Sequence, residues 1–560
     1  MGTRDAMVQA GQIEWWQTGV IYHIYLRSFK DTSGDGVGDL RGIIEQLDYL
    51  GETLGVDALW VSPFYPSPQK DFGYDINDFT AVDPLFGDLA TFDALVGQMH
   101  RRALKLIIDY VPNHTSDQHP WFAKSRASRD NPKRGWYVWA DPKPDGSPPN
   151  NWTSETGGSA WAWDATTAQY YLHSHYPEQP DLNWRNPAVK AAMFDVLRFW
   201  LERGVDGFRI DVAHMIMKDP ALRDNPPNPE GVPNPFDRQH PDFSAQRHVH
   251  DRRHPDLHAV YREMRALLDA YSGERPRMAI GEIEVMPWDD WIAYFGAELD
   301  ELHLPFNFGL IETPWTASAI RASVDALERA LPAGAWPNYV LGNHDRARLA
   351  SRVGPEQARV AAMLLLTLRG TPTLYYGDEL GMADAPIPPA LWHDSLGRDA
   401  ARTPLPWTDG PHAGFSAPST PALWLPVAPD YRDINVTHHM AEQRSMLALY
   451  RRLLAYRRAT PALRVGSYEA IDGGTERCYI YARATPTARV IVALNLTGEP
   501  VEVRGCGWAG GKSLHPPIWI TPNRRGRIRS TCAPTKGSSS RRHTSNAVAQ
   551  KDVFYPVFAM

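Results

Sequence analysis

Short apolar runs of this chain end in acids, the residue type that acid–base and nucleophilic chemistry needs. Asp211 closes GFRID, Glu282 closes AIGE and Asp345 closes LGNHD, while LIIDYVPNH carries Asp109 and ends at His114. A single acid at a strand tip is ordinarily a satisfied hydrogen-bond acceptor or a helix cap. Three, two of them flanked by Arg, His or Asn, point to glycoside hydrolysis. That reaction takes one ionised carboxylate to attack the anomeric carbon and a second, protonated carboxyl to donate to the leaving oxygen. Arg209 lies two residues before Asp211, so on a strand both face the same way. A guanidinium there favours the ionised nucleophile, and Glu282 beside that anion is expected to keep its proton.

The elements that would position these acids alternate in type. VDALWVSPF (56–64), LKLIIDYV (104–111), VDGFRID (205–211), RMAIGEI (277–283), NYVLGNHD (338–345) and TPTLYYGD (371–378) read as strands. Helical patterns such as 89–103 and 191–204 lie between them. Such alternation means parallel βα units, in a barrel or a doubly wound sheet. In a barrel the C-terminal strand tips converge on one mouth. The Trp-, Pro-, Gly- and Asn-rich run from 113 to about 181 is too long for a bare loop and reads as an inserted domain. The prolines of 218–243 forbid a continuous helix there. Beyond about 465, RCYIYARA, ARVIVALNLT and EPVEV alternate as antiparallel strands do. From Arg504 onward ten Lys/Arg face one acid, Asp552, which reads as a solvated basic tail or a divergent terminus.

The 560 residues carry a net charge of −7, which argues against a polyanion as main partner, so no nucleic acid is expected. Three cysteines, Cys478, Cys506 and Cys532, form no disulfide framework and no CxxC. The N-terminal MGTRDAMVQAGQIEWW has no apolar h-region, and no uncharged run approaches the ~20 residues of a membrane span. A cytoplasmic, soluble enzyme without a membrane partner, monomeric or homodimeric, is expected. In DTSGDGVGD (31–39), oxygens recur at Asp31, Ser33, Asp35, the Val37 carbonyl and Asp39. This is a pattern for a hard cation or for a metal-free Asx/Gly turn. It is not an EF-hand, since Gly42 stands where that loop needs Glu.

Taken in order, DYVPNH (109–114), QPDLNW (179–184), GFRIDV (207–212), GEI (281–283), LGNHD (341–345), GTPTLYYGDELGM (370–382) and DAARTPLPW (399–407) resemble glycoside hydrolase family 13. Within this α-amylase family they are most similar to the α-glucosidase and oligo-1,6-glucosidase branch, from about Trp15 to about 500. The resemblance implies a (β/α)8 barrel (14–112 and 182–455), an inserted domain after strand 3 (113–181) and a C-terminal antiparallel β-domain (456–560). It implies Asp211 as nucleophile, Glu282 as acid/base and Asp345 as the third acid that grips ring hydroxyls. It further implies His114 and His344 as hydrogen-bonding partners of the bound glucose, with Arg209 orienting the nucleophile. Tyr74 and Asp75 are implied to hold the non-reducing glucose, with Arg402 at the same closed end. The branch binds structural Ca2+ in a loop like 31–39, though Ser33 stands where Asn is common. The expected activity is retaining, exo-acting hydrolysis of short α-glucosides such as maltose, isomaltose, sucrose or malto-oligosaccharides. A glucosyl-transferring relative (trehalose synthase, sucrose isomerase) is the alternative, and a non-catalytic scaffold would lack the acids. Val212 after the nucleophile leans towards α-1,6 bonds, but Ala213-His214 departs from the usual Ile-Asn.

Overall fold

A computed structural model describes residues 13–229, 241–284, 287–472 and 476–504, with short strands further on. Eight parallel strands form the core: β1 (Ile21–Ile24), β2 (Ala58–Val61), β3 (Lys105–Tyr110), β4 (Gly207–Ile210), β5 (Met278–Glu282), β6 (Leu304–Phe306), β7 (Asn338–Val340) and β8 (Thr371–Tyr375). Their hydrogen-bonded order is β7-β8-β1-β2-β3-β4-β5-β6, which leaves one seam, between β6 and β7. Pro305 has no N–H to give to a ladder there. The Asn338 side chain closes the seam instead, donating to the Pro305 carbonyl and accepting from the Asn307 N–H at 3.0 Å. The parallel sheet is therefore a closed barrel rather than a doubly wound sheet.

Two strands escape a reading of apolar runs. The centre of β1 is His23, and β6 is three residues with a proline in the middle. Both are fully buried. Period two sorts the strands cleanly. Ile21, Ala58, Trp60, Ile107, Met278, Ile280, Leu304, Phe306 and Val340 form a core cluster of their own inside the barrel. Tyr22, Ile24, Leu59, Val61, Leu106, Ile108, Phe208 and Ile210 join the larger cluster against the helices. Helices such as Leu89–Arg101 and Pro187–Glu202 start at side-chain caps, Asp88 accepting from Thr91 N and Asn186 from Ala188 N.

Between β3 and the helix Pro187–Glu202 lies a three-stranded antiparallel sheet, with Gln169–Leu172 between Trp139–Ala140 and Trp161–Asp164. It is pinned to the barrel by a buried ion pair, Lys218 Nζ to Asp181 at 2.7 Å. After the barrel, Ser467–Ala470, Cys478–Ala484 and Asn495-terminated Arg489–Asn495 pair antiparallel. The expected antiparallel register ends there: Arg489–Asn495 pairs in parallel with Ile518–Thr521. Most of the basic tail, including Cys506 and Cys532, and residues 230–240 of the proline-rich stretch lie outside the described residues. No helix among the described residues is long and apolar enough to cross a membrane.

Candidate active site

Strand register brings the acids together. Asp109 on β3 and Arg209 on β4 are paired neighbours, and both point inward by the alternation just described. The Arg209 guanidinium is 1% exposed and holds three carboxylates at once. Nη1 lies 2.8 Å from Asp109 and 2.7 Å from Asp211, and Nη2 lies 2.5 Å from Glu282. Arg209 thus orients both predicted catalytic acids, where the sequence pointed to the nucleophile alone. Behind it the floor is aromatic. Trp60 donates to Asp109 at 2.8 Å, and His23, its register partner, stacks on it at 3.6 Å. The residue after Asp211 is strained: Val212 has φ 35, rare for a β-branched side chain. Its N–H donates to Glu282 Oε2 at 2.9 Å, so the strained backbone fixes the second acid.

Burial pushes the Asp211 carboxyl upward, with Glu282 and Asp109 adding to it and Arg209 opposing. Burial likewise raises Asp109 to about 6 against the pull of Arg209. Arg209 stays charged despite its burial, because the acids around it outweigh the desolvation. One guanidinium cannot neutralise three carboxylates in a low-dielectric pocket, so the cluster favours holding a proton. A glycosidase needs such a proton at the leaving oxygen. Burial also pushes Asp345 up, yet the charged guanidiniums of Arg398, Arg402 and Arg209 hold it well below the usual carboxylate range.

These groups line a cavity of about 100 Å³ that includes Tyr74, Asp211, Glu282, His344 and Asp345. Tyr74 and His344 stack in parallel at 5.4 Å. Burial lowers His344 and His114 to about 3, so both imidazoles are neutral. His114 sits one layer back, beside Gln179 Nε2 at 3.1 Å and 5.1 Å from the ring of His175, which lines the cavity.

Two sequence assignments shift by a few residues. Asp75 does not line the cavity. It is fully buried in its own turn, accepting from Ser67 Oγ (2.8 Å), Lys70 N (2.9 Å) and Asp71 N (3.0 Å). Left-handed backbone at Phe72 (φ 49) and Gly73 (φ 108) folds the chain so that Asp71 lines the pocket instead. Arg402 is buried beneath Asp345, donating to it at 2.9 Å and to the His344 carbonyl at 2.7 Å. It is Arg398 that lines the cavity, donating to Asp71 at 2.8 Å and Asp345 at 2.9 Å. A 3-10 turn, Arg398–Ala401, lets both arginines reach the same carboxylate oxygen. Sequence reasoning missed Asp71, Arg398, Glu155 and Glu284, all cavity residues. The first two had a signal, since Asp71 stands four residues before Asp75 and Arg398 four residues before Arg402.

In the 31–39 loop, Asp31 accepts from Gly34 N (2.8 Å) and Gly36 N (2.9 Å). Asp39 accepts from Thr32 N (2.7 Å), Ser33 N (3.2 Å) and Gly42 N (2.7 Å), and Asp35 from Val37 N (2.9 Å). Among the described residues no three His, Cys, Asp or Glu side chains are grouped to hold a metal ion.

A closed (β/α)8 barrel with paired acids on neighbouring strand tips defines a class, the barrel glycoside hydrolases. The family profile "Alpha amylase, catalytic domain" matches residues 23–466. A "Probable alpha-glucosidase" of Rhizobium meliloti (strain 1021) is 42% identical over 484 residues, 82% of this chain and 85% of its own. The oligo-1,6-glucosidase of Parageobacillus thermoglucosidasius is 36% identical, over 86% of this chain and 90% of its own. The crystal structure of an α-glucosyl transfer enzyme, XgtA, superposes with a TM-score of 0.83 at 42% identity, covering 88% of this chain and 92% of that one. The chain belongs to the α-amylase family of glycoside hydrolases, in its α-glucosidase branch, and is an enzyme.

Proposed function

We propose that the protein is a retaining, exo-acting α-glucosidase that removes the terminal non-reducing glucose from short α-glucosides. The observation that carries this is the cavity itself. Its floor presents Asp211 and Glu282 on one guanidinium, and its side is closed by Arg398 clamped between Asp71 and Asp345. Buried charged groups there suit the hydroxyls of a chain end, and an internal residue would leave them unpaired. In the first step Asp211 attacks the anomeric carbon while Glu282 protonates the leaving oxygen. Once Asp211 is esterified its charge is gone, and Arg209 then holds Glu282 as the carboxylate that deprotonates water. Tyr74 and neutral His344 supply a flat face and an uncharged hydrogen-bond partner for the sugar.

Maltose, isomaltose, sucrose and short malto-oligosaccharides are the substrates this pocket suits, and α-glucose should be the first product. NMR of early products from each sugar tests this. Initial β-glucose, or loss of iodine staining of starch before glucose appears, would overturn it. Likeness to an α-glucosyl transfer enzyme supports a second reading, transfer of the glucosyl unit to a sugar acceptor. Oligosaccharide products in the same assay would reveal it. Sparse cysteines support a reducing, cytoplasmic setting. We also propose structural Ca2+ in the 31–39 loop. The buried acids Asp31 and Asp39, with exposed Asp35 between them, support it.

A further inference from the structure

The cavity has a second end that the catalytic reading leaves unused. Glu284 follows Glu282 by two residues, with Ile283 buried in the outer core between them, so the two acids face the same side. Arg346, directly after Asp345, donates to Glu284 Oε1 at 3.1 Å and lies 3.7 Å from Glu312. The other Glu284 oxygen has no protein partner among the described residues, and the side chain is 23% exposed into the cavity. Across from it the inserted domain supplies Glu155, fixed by Arg252 at 2.8 Å, with Phe243 packed on that arginine. None of these groups touches Arg398, Asp71 or the closed glucose end. In all, six acids (Asp71, Glu155, Asp211, Glu282, Glu284, Asp345) line the cavity against two guanidiniums, Arg346 and Arg398.

We propose that Glu284, anchored by Arg346, faces the leaving group and selects a neutral, hydroxyl-bearing leaving group over an anionic one. This rests on the α-glucosidase reading above. The anchored oxygen fixes the carboxyl, and the open oxygen meets the aglycone. An anion arriving there meets Glu155 on one wall and, once it ionises, Glu284 on the other, with one arginine that already lies against two acids. The selectivity also depends on pH. Burial raises Glu284 to about 8, with Glu282, Glu155 and Asp345 adding and Arg346 opposing. Glu284 is therefore mostly neutral at pH 7 and ionised by pH 9. Beyond these, the described charged group near it is Glu312, behind Arg346.

The test compares phenyl α-glucoside with 4-carboxyphenyl α-glucoside, which differ in charge and little in leaving ability. The ratio of their kcat/KM values in one preparation does not depend on the folded fraction. The wild-type ratio should favour the neutral substrate and rise several-fold from pH 7 to pH 9. Glu284→Gln should lower the ratio at pH 9 by roughly tenfold, since one charge at such range is worth that much, and make it flat with pH. Arg346→Gln removes the guanidinium that opposes the rise in Glu284, so the increase of the ratio should move to higher pH, a shift that reports even if Glu284→Gln fails to fold. A wild-type ratio flat with pH, or Glu284→Gln matching wild type at pH 9, would overturn the role of Glu284. Failure of the wild type to cleave phenyl α-glucoside would overturn the α-glucosidase reading, and this proposal with it.

Discussion

Arg209→Met removes the one cation that holds the catalytic acids. Its two ion pairs at 2.7 Å and 2.5 Å place charge centres about 4 Å apart, which at an effective dielectric near 20 is roughly 4 kcal/mol. Burial already pushes Asp211 up, and the Arg209 guanidinium opposes it. Without the arginine the nucleophile keeps its proton at neutral pH. We expect kcat/KM on an aryl α-glucoside to fall about 10³-fold at pH 7, and the acidic limb of the pH–rate profile to move to higher pH. Stability should change with the same sign. Carboxyls raised in the folded state bind protons that the unfolded chain has lost. The variant should therefore lose stability as pH climbs from the unfolded carboxylate range, near 4, through the raised folded values. Arg209→Lys, a point charge without the fork, should recover only part of the rate. An acidic limb unmoved in Arg209→Met, at any rate loss, would refute this account of the cluster.

Further outcomes separate neighbours that look alike in sequence. Asp71→Ala should lower kcat/KM on disaccharides by about 10²-fold or more, because it undoes the Arg398 clamp at the glucose end. Asp75→Ala should instead lower the melting temperature, since the buried Asp71 N–H loses its acceptor at about 1–3 kcal/mol, and the Ser67 and Lys70 donors lose theirs at less cost because water can reach them. Equal effects of both on Tm and rate would contradict the placement. Chelation with EDTA should lower Tm while leaving the initial rate of the surviving enzyme unchanged, as loss of a ligand bound only to the folded state requires. An unchanged Tm with no ion found by mass spectrometry would remove the calcium proposal.

Most of the barrel was legible because its strands are apolar runs that end in acids. β2, β3, β4, β5, β7 and β8 all fall inside the runs read from the sequence. β1 and β6 were not, because burial in the barrel interior tolerates His23 stacked on Trp60, and because Asn338 supplies the hydrogen bonds that Pro305 cannot. Asp211, Glu282 and Asp345 were readable from position alone. The partners of Asp345 were not, because they depend on turns. Left-handed backbone at Phe72 and Gly73 decides between Asp71 and Asp75, and a 3-10 turn decides which arginine lines the pocket. Period two extended past the strand end would have found Glu284. The inserted residues Glu155 and His175 had no periodic signal, since they reach the cavity from irregular loops.

The central claim, that Asp211 forms a covalent bond to glucose, is tested most directly by trapping. A fluorinated α-glucosyl fluoride, which slows the second step more than the first, should label the enzyme with one sugar per chain. Peptide mapping by mass spectrometry should place that sugar on the peptide containing Asp211, and Asp211→Asn should take up none. A label on another carboxylate, or an Asp211→Asn enzyme that still traps the sugar, would contradict the account.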